Sequence, residues 1–326
     1  MLPGVTDIRC GWSWRQPFSG GARPSGRSAG GTSVAVAVRR LLIGRPLPTS
    51  RAKHERLPKS LALPVFASDN LSSSAYATEE ILLALVAGGA ALTYSMPIAL
   101  AIAALLVIVA ISYRQTIQAY PSGGGAYIVA HDNLGLRAGT GAGAALLIDY
   151  VLTVSVSVAA GVAAITSAFP MLHGYRVPMG VGFVFLVALA NLRGAKESGA
   201  LFALPTYLFI ASFLGMIAVG VFRYATHALP APVAHAAAAT HSLTGLAMAL
   251  VLLRAFASGC AAVTGVEAIS NGVQAFRPPE ARNAATTMTW MAGLLGVLFV
   301  GLTFLAHVLG VVPSHGETVA SQIARA

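Results

Sequence analysis

The sequence predicts an all-α polytopic membrane protein, and three observations carry that prediction. The 326-residue chain is 56% hydrophobic and only 10% charged, whereas a soluble domain usually carries about 25% charged side chains. Its mean hydropathy is +0.73, so lipid rather than water must meet most of its surface. From Leu61 onward the apolar residues gather into blocks near the roughly 20 residues that a spanning helix needs. A formal net charge of +10 raises the alternative of a nucleic-acid binder. Just over half of the Lys and Arg precede Leu61, however, and nearly all the rest sit between apolar blocks. That is the distribution of cytoplasmic loops, not of a basic binding face, and no nucleic-acid partner is expected.

The elements follow in chain order. Residues 1–38 are rich in Gly, Arg and Ser and show no helical period. They fit a disordered extension, or an upstream extension of the reading frame, better than a targeting signal, since neither an amphipathic helix nor an apolar signal core is present. Residues 39–60 form a basic segment expected on the cytoplasmic face. Seven apolar segments come next, at about 61–88, 94–113, 138–169, 178–192, 199–223, 242–275 and 286–312. Together they make a transmembrane domain over 61–313, and residues 314–326 read as a loop on the far side. Arg114, Arg137, Arg193, Lys196, Arg277 and Arg282 fall in one set of connections, and only Arg176 and Arg223 in the other. The richer set belongs inside, which places the amino terminus in the cytoplasm of a multi-pass plasma-membrane protein. His227, His235 and His241 lie in or beside the outer 224–241 loop as solvated residues rather than a zinc site. Cys10 and Cys260 offer neither a disulfide framework nor metal-ligand spacing, and Cys260 reads as a buried thiol.

Two segments do not read as ordinary membrane helices. In the first, Pro64, Ser68, Asp69, Asn70 and three serines interrupt the apolar run. A mid-membrane acid is costly enough that it should face protein or water. Such residues also favour a break followed by a fresh helix start. Asp69 as cap of a helix beginning near Leu71 and Asp69 as ion ligand are compatible readings. In the sixth segment Ser258, Gly259, Thr264, Gly265 and Glu267 lie within the run, and its glycines permit non-helical backbone. Interrupted segments in corresponding positions point to a transporter site, because irregular backbone at that depth must line a cavity or be buried in protein.

The third segment supplies the opposing wall. Asp149, Thr153 and Ser157 recur every four residues and share one helical face. They point at a pathway, although Thr153 and Ser157 taken alone could equally bond back to their own helix. Arg254 either pairs with an acid or snorkels, and the sequence leaves that open. No enzyme and no cofactor are expected, since Gly123–Gly125 lack the Lys-Ser/Thr of a phosphate loop and read as a flexible re-entrant turn.

The order of the first segment, YPSGGGAYIVAHDNLG (Tyr120–Gly135), NLRGAKESG (Asn191–Gly199) and RPPEARNA (Arg277–Ala284) resembles the amino acid–polyamine–organocation superfamily. Within it, FASDNLSSSAYATEEIL (Phe66–Leu82) and TGVEAISNG (Thr264–Gly272) are similar to KimA-type potassium importers, relatives of the KUP group. The resemblance implies a LeuT-like fold of two inverted repeats with segments one and six discontinuous. It implies potassium symported with protons, and a homodimer as an allowed state. The implied ligands are Asp69, Tyr76, Thr153, Ser157 and Thr264, with Asp149 beside them and Glu267 as the proton-coupling carboxylate. Members of that group have about twelve spanning helices and often a soluble carboxy-terminal region. Here the fold is expected to be incomplete, ending after the seventh segment, so an inactive or partner-binding membrane fragment stands as one alternative. An amino acid permease is the other. Asp69 argues against it, because it would repel a substrate carboxylate.

Overall fold

A computed structural model describes residues 56–88, 92–192, 195–229, 244–314 and 316–326, without side-chain placement at 195–198. The 1–38 extension, most of the basic 39–60 segment, Cys10, His235 and His241 lie outside the described residues. Among the described residues the architecture is helical throughout. The helices are α1 (Lys59–Ala87), α2 (Ser95–Ala119), α3 (Gly125–Leu134), α4 (Leu136–Ala168), α5 (Arg176–Asn191), α6 (Ala195–Ala225), α7 (Gly245–Gly259), α8 (Ala268–Asn271), α9 (Glu280–Leu309) and α10 (Val319–Arg325). Among the described residues six helical stretches are long and apolar enough to cross a membrane, and they match the second to seventh predicted segments. The first segment, α1, has 29 residues, about 43 Å at 1.5 Å per residue. Asp69, Glu79 and Glu80 keep it out of the purely apolar class.

Helix α1 is the hub. It packs on α9, α7 and α6, which bury a broad face of it, including Ala62, Ala67, Leu71, Ala77 and Ile81. The face with Ser68, Ser72, Ala75 and Glu79 is only half-buried, and Leu83 on it is exposed. Behind it, α2 packs against α9 and α7, and the buried Thr78 and Thr303 hydroxyls meet at 2.8 Å between α1 and α9. Helices α4, α5 and α6 instead present apolar side chains outward, including Leu147, Val151, Phe185, Leu204 and Leu208. Bands of that kind are what a lipid-facing surface requires.

Three expectations need correction. The first segment is not broken, because α1 runs unbroken through Asp69 and Asn70. Its serines bond back onto their own helix: Ser72 donates to the Asp69 carbonyl (2.8 Å), Ser73 to Asn70 (2.6 Å) and Ser74 to Leu71 (2.6 Å). Back-bonding keeps the carbonyls satisfied without unwinding the chain. Asp69 is therefore not a helix cap. The glycine turn is also not loose. Gly123, Gly124 and Gly125 take φ of +80°, +99° and +46°, and the Gly124 N–H donates to the Asn271 carbonyl at 3.3 Å. Finally, 314–326 is not all loop, since α10 forms with the Thr318 hydroxyl accepting from the Ser321 N–H.

The sixth segment is interrupted as expected. Helix α7 ends at Gly259, a 3-10 turn covers Cys260–Val263, and Thr264–Glu267 turn before the four-residue α8. Gly265 carries φ +82°. Cys260 sits half-buried at the break rather than in the core. Arg254 is exposed and joins no ion pair among the described residues.

Candidate functional site

The site forms where α1, the break after α7, and α4 meet. A broken helix leaves carbonyls without intrahelical partners, and buried ones must find donors. Helix α1 provides them. The Asn70 Nδ2 donates to the Thr264 carbonyl at 2.8 Å, and the Ser73 hydroxyl lies 3.4 Å from the Ala262 carbonyl. The polar cluster of α1 therefore serves its neighbour's break instead of making one of its own.

Asp69 reaches across to α4, where the Ser157 hydroxyl donates to its Oδ1 at 2.9 Å. Tyr76, two turns along α1, is buried with its hydroxyl beside Ser157. On α4 the stripe of Asp149, Thr153 and Ser157 is the covered one, with Thr153 buried and the other two half-buried. Val151, Leu152, Val154, Ser155 and Val156 around it are exposed. Asp149 is a like-charged neighbour of both Asp69 and Glu267. Glu267, at the end of the break, is 7% exposed. The structure thus brings all seven predicted site residues to one region. Thr264 differs in kind, since its carbonyl is engaged by Asn70.

Gly265 packs closely on α1 at the centre. A Cβ built there would stand 3.0 Å from Asn70 Oδ1 and 3.1 Å from Asp69 Oδ2, so only a residue without a side chain lets the break come this near both oxygens. Asn70 is fully buried, and among the described residues its Oδ1 has no hydrogen-bond partner, nor do the buried Glu267 Oε1 and Asn271 Oδ1. Turning the Asn70 amide over would remove the donor to Thr264, so its bare oxygen is the consistent choice. The ion pairs among the described residues are Arg56–Glu280, His131–Asp132 and Arg325–Glu317. None touches Asp69, Asp149 or Glu267. No three acidic, His or Cys side chains among the described residues close on one point tightly enough for a metal ion. The arrangement of dispersed charge and many neutral oxygens suits a large monovalent cation better than a divalent one.

Tyr76 and Ser157 also line a cavity of about 1080 Å³ between α1, α4, α6 and α10, so the site opens sideways into it. Glu79 and Glu80 stand on the same wall, and Glu79 Oε2 accepts from the Val319 N–H at 3.1 Å. Three contributors escaped the sequence reading. Asn70 had a signal in its place beside Asp69. Tyr150, next to Asp149, and Asn271, one turn after Glu267, had none beyond adjacency.

The chain belongs to the amino acid permease family, whose profile matches residues 62–324. More particularly, it is similar to the potassium transporter KimA of Bacillus subtilis (strain 168), at 50% identity over 289 residues. That match covers 88% of this chain and 47% of the relative, so the chain spans about half the length of the curated relative it matches.

Proposed function

We propose that the chain carries the cation site of a proton-coupled potassium importer of the plasma membrane. The observation that carries this reading is the set of Asp69, Asp149 and Glu267 around a broken helix, with no basic partner among the described residues and with the bare Asn70 oxygen beside Gly265. Potassium is satisfied by several neutral oxygens and limited negative charge. Asp69, Asn70, Tyr76, Ser157, Thr153 and break carbonyls are the donors on hand, with Asp149 adding charge. Glu267 is the group assigned to the coupled proton, because a carboxyl withdrawn from water is suited to change charge near neutral pH. The name of the Bacillus relative supports potassium as cargo. An amino terminus in the cytoplasm and a homodimer belong to the same reading.

An amino acid permease is the second reading, favoured by the family description alone. A substrate carboxylate needs free backbone N–H groups at a helix break. On α1 those groups are spent within an unbroken helix, and the Asp69 carboxylate stands beside the break instead.

The deciding experiment is potassium uptake by cells lacking their own importers and expressing this chain, with and without Asp69→Asn, alongside labelled amino acids. Uptake of potassium lost in the variant supports the proposal. Amino acid uptake in its place establishes the permease reading, and uptake of neither leaves the chain as a non-transporting membrane fragment.

A further inference from the structure

The stripe that α4 turns toward the break is fastened at two heights. At one, the Ser157 hydroxyl donates to Asp69 Oδ1 at 2.9 Å, a bond made between two of the proposed cation ligands. Two turns earlier, about 10 Å along the helix, the Tyr150 hydroxyl accepts a short hydrogen bond from Asn271 Nδ2. Thr153 lies buried between the two. Val151, Leu152 and Val154 on the flanks of the stripe are exposed, so apolar packing gives α4 little hold there, and the two side-chain bonds matter the more.

Asn271 is a fixed post for the second bond. It closes α8, a helix of four residues, which is too short to stand without tertiary support. That support is present: α8 packs against α1, α2, α3 and α9, with Ile269 and Ser270 buried. The Asn271 N–H donates to the Glu267 carbonyl at 3.0 Å, and the Gly124 N–H donates to the Asn271 carbonyl at 3.3 Å. A Cβ on Gly125 would lie 2.1 Å from Asn271 Oδ1, and one on Gly123 would lie 2.8 Å from the Asn271 carbonyl oxygen. Only glycine lets the turn close on this residue so nearly. Backbone and amide oxygen are thus confined from the α3 side, and the Nδ2 is left to reach α4.

We propose that Asn271 is the positioning residue that holds the ligand stripe of α4 to the broken segment, acting through the Tyr150 hydroxyl. The Ser157–Asp69 bond joins groups that a cation also claims, so it cannot by itself keep the two walls together as the site fills. The Asn271–Tyr150 bond uses none of the proposed ligands. It sets the spacing of Asp149 and Thr153 from Thr264 and Glu267 whether or not a cation is bound. The identity of the ligands rests on the function proposed above, whereas the clasp between α8 and α4 does not.

Pulsed electron paramagnetic resonance on the full chain in lipid tests the clasp. Spin labels go on Ala145→Cys in α4 and Gln274→Cys beyond α8, both exposed positions, in a background of Cys10→Ser and Cys260→Ser. The intact clasp is expected to give one narrow distance. Tyr150→Phe, which removes only the hydroxyl, and Asn271→Ala should each broaden it, and the double variant should broaden it no further, as for two partners in one bond. Potassium titrations read by thermal unfolding should show about three- to tenfold weaker affinity in each variant, the worth of one hydrogen bond, again without addition in the double variant. A distance that stays narrow in Tyr150→Phe overturns the clasp, and that variant carries the test if Asn271→Ala folds poorly. A distance that broadens with potassium affinity unchanged overturns the positioning of the site. If the native chain gives no potassium response at all, the cation reading falls, and the distance still decides whether Asn271 holds α4.

Discussion

Asp69→Asn separates a cation ligand from a structural carboxylate. The substitution keeps the shape and keeps an oxygen that can accept from Ser157, whose bond to Asp69 is 2.9 Å. What it removes is one unit charge beside Gly265 in the break. At about 3 Å and an effective dielectric of about 20, that charge acts on a monovalent cation with about 5 kcal/mol. The amide oxygen still ligates, and the carboxylate no longer has to shed water, so a net loss of about 2–3 kcal/mol is expected. That corresponds to roughly 30- to 150-fold weaker binding. The assay is thermal unfolding in choline buffer and then with added potassium. At a potassium level about 1,000 times the dissociation constant, the native chain gains about 4 kcal/mol. The variant should gain only about 1–2 kcal/mol at the same concentration. Without potassium it should be as stable as the native chain or slightly more so, because no basic partner is lost and two like-charged neighbours are relieved. A variant that is destabilised without potassium, yet responds to potassium normally, would refute the reasoning and make Asp69 a structural group.

Three further outcomes are expected. Gly125→Ala forces a side chain onto φ +46°, with its Cβ 2.1 Å from Asn271 Oδ1. The left-handed conformation costs about 1–2 kcal/mol, and the displaced amide should bring the total to about 2–4 kcal/mol in denaturant unfolding. A loss under about 0.5 kcal/mol would contradict the close fit of Asn271 against the glycine turn, being no more than an ordinary surface change. Phe276→Ala removes a fully buried ring stacked on Phe66 at 5.4 Å. It should cost about 3–5 kcal/mol in the same assay. Glu280→Gln at the half-buried pair with Arg56 should shift the unfolding midpoint little, since partly solvated ion pairs contribute little to stability. A clear drop would show that this contact is shielded from water.

Hydropathy made the helices legible because a spanning segment is defined by composition over many residues, which a single sequence displays directly. The break in the sixth segment was legible for a related reason. Gly259 and Gly265 are permissive, and no covering helix was needed to see it. The stripe of Asp149, Thr153 and Ser157 followed from helical spacing alone, and it is the covered face of α4. The first segment misled because Ser, Asp and Asn have two uses. They can end their own helix, or they can satisfy the backbone of another. Asn70 does the second, through Thr264, and that choice depends on a residue 194 positions away. Tyr150 escaped because a tyrosine beside a lipid-facing stretch carries no local mark of its partner. Asn271 matters only through the glycine turn that meets it from α3.

The contact just before α1 has a mechanical consequence. Leu57 uses both of its backbone groups on the chain that follows the break: its N–H donates to Ala275 at 2.7 Å, and its carbonyl accepts from Arg277 at 3.1 Å. Phe66 stacks on Phe276 one layer in, and Asn70 pins Thr264 further along. These are three rivets along one seam. A tilt of the stretch beyond Glu267 therefore drags the root of α1 with it, as a hinge leaf drags its post.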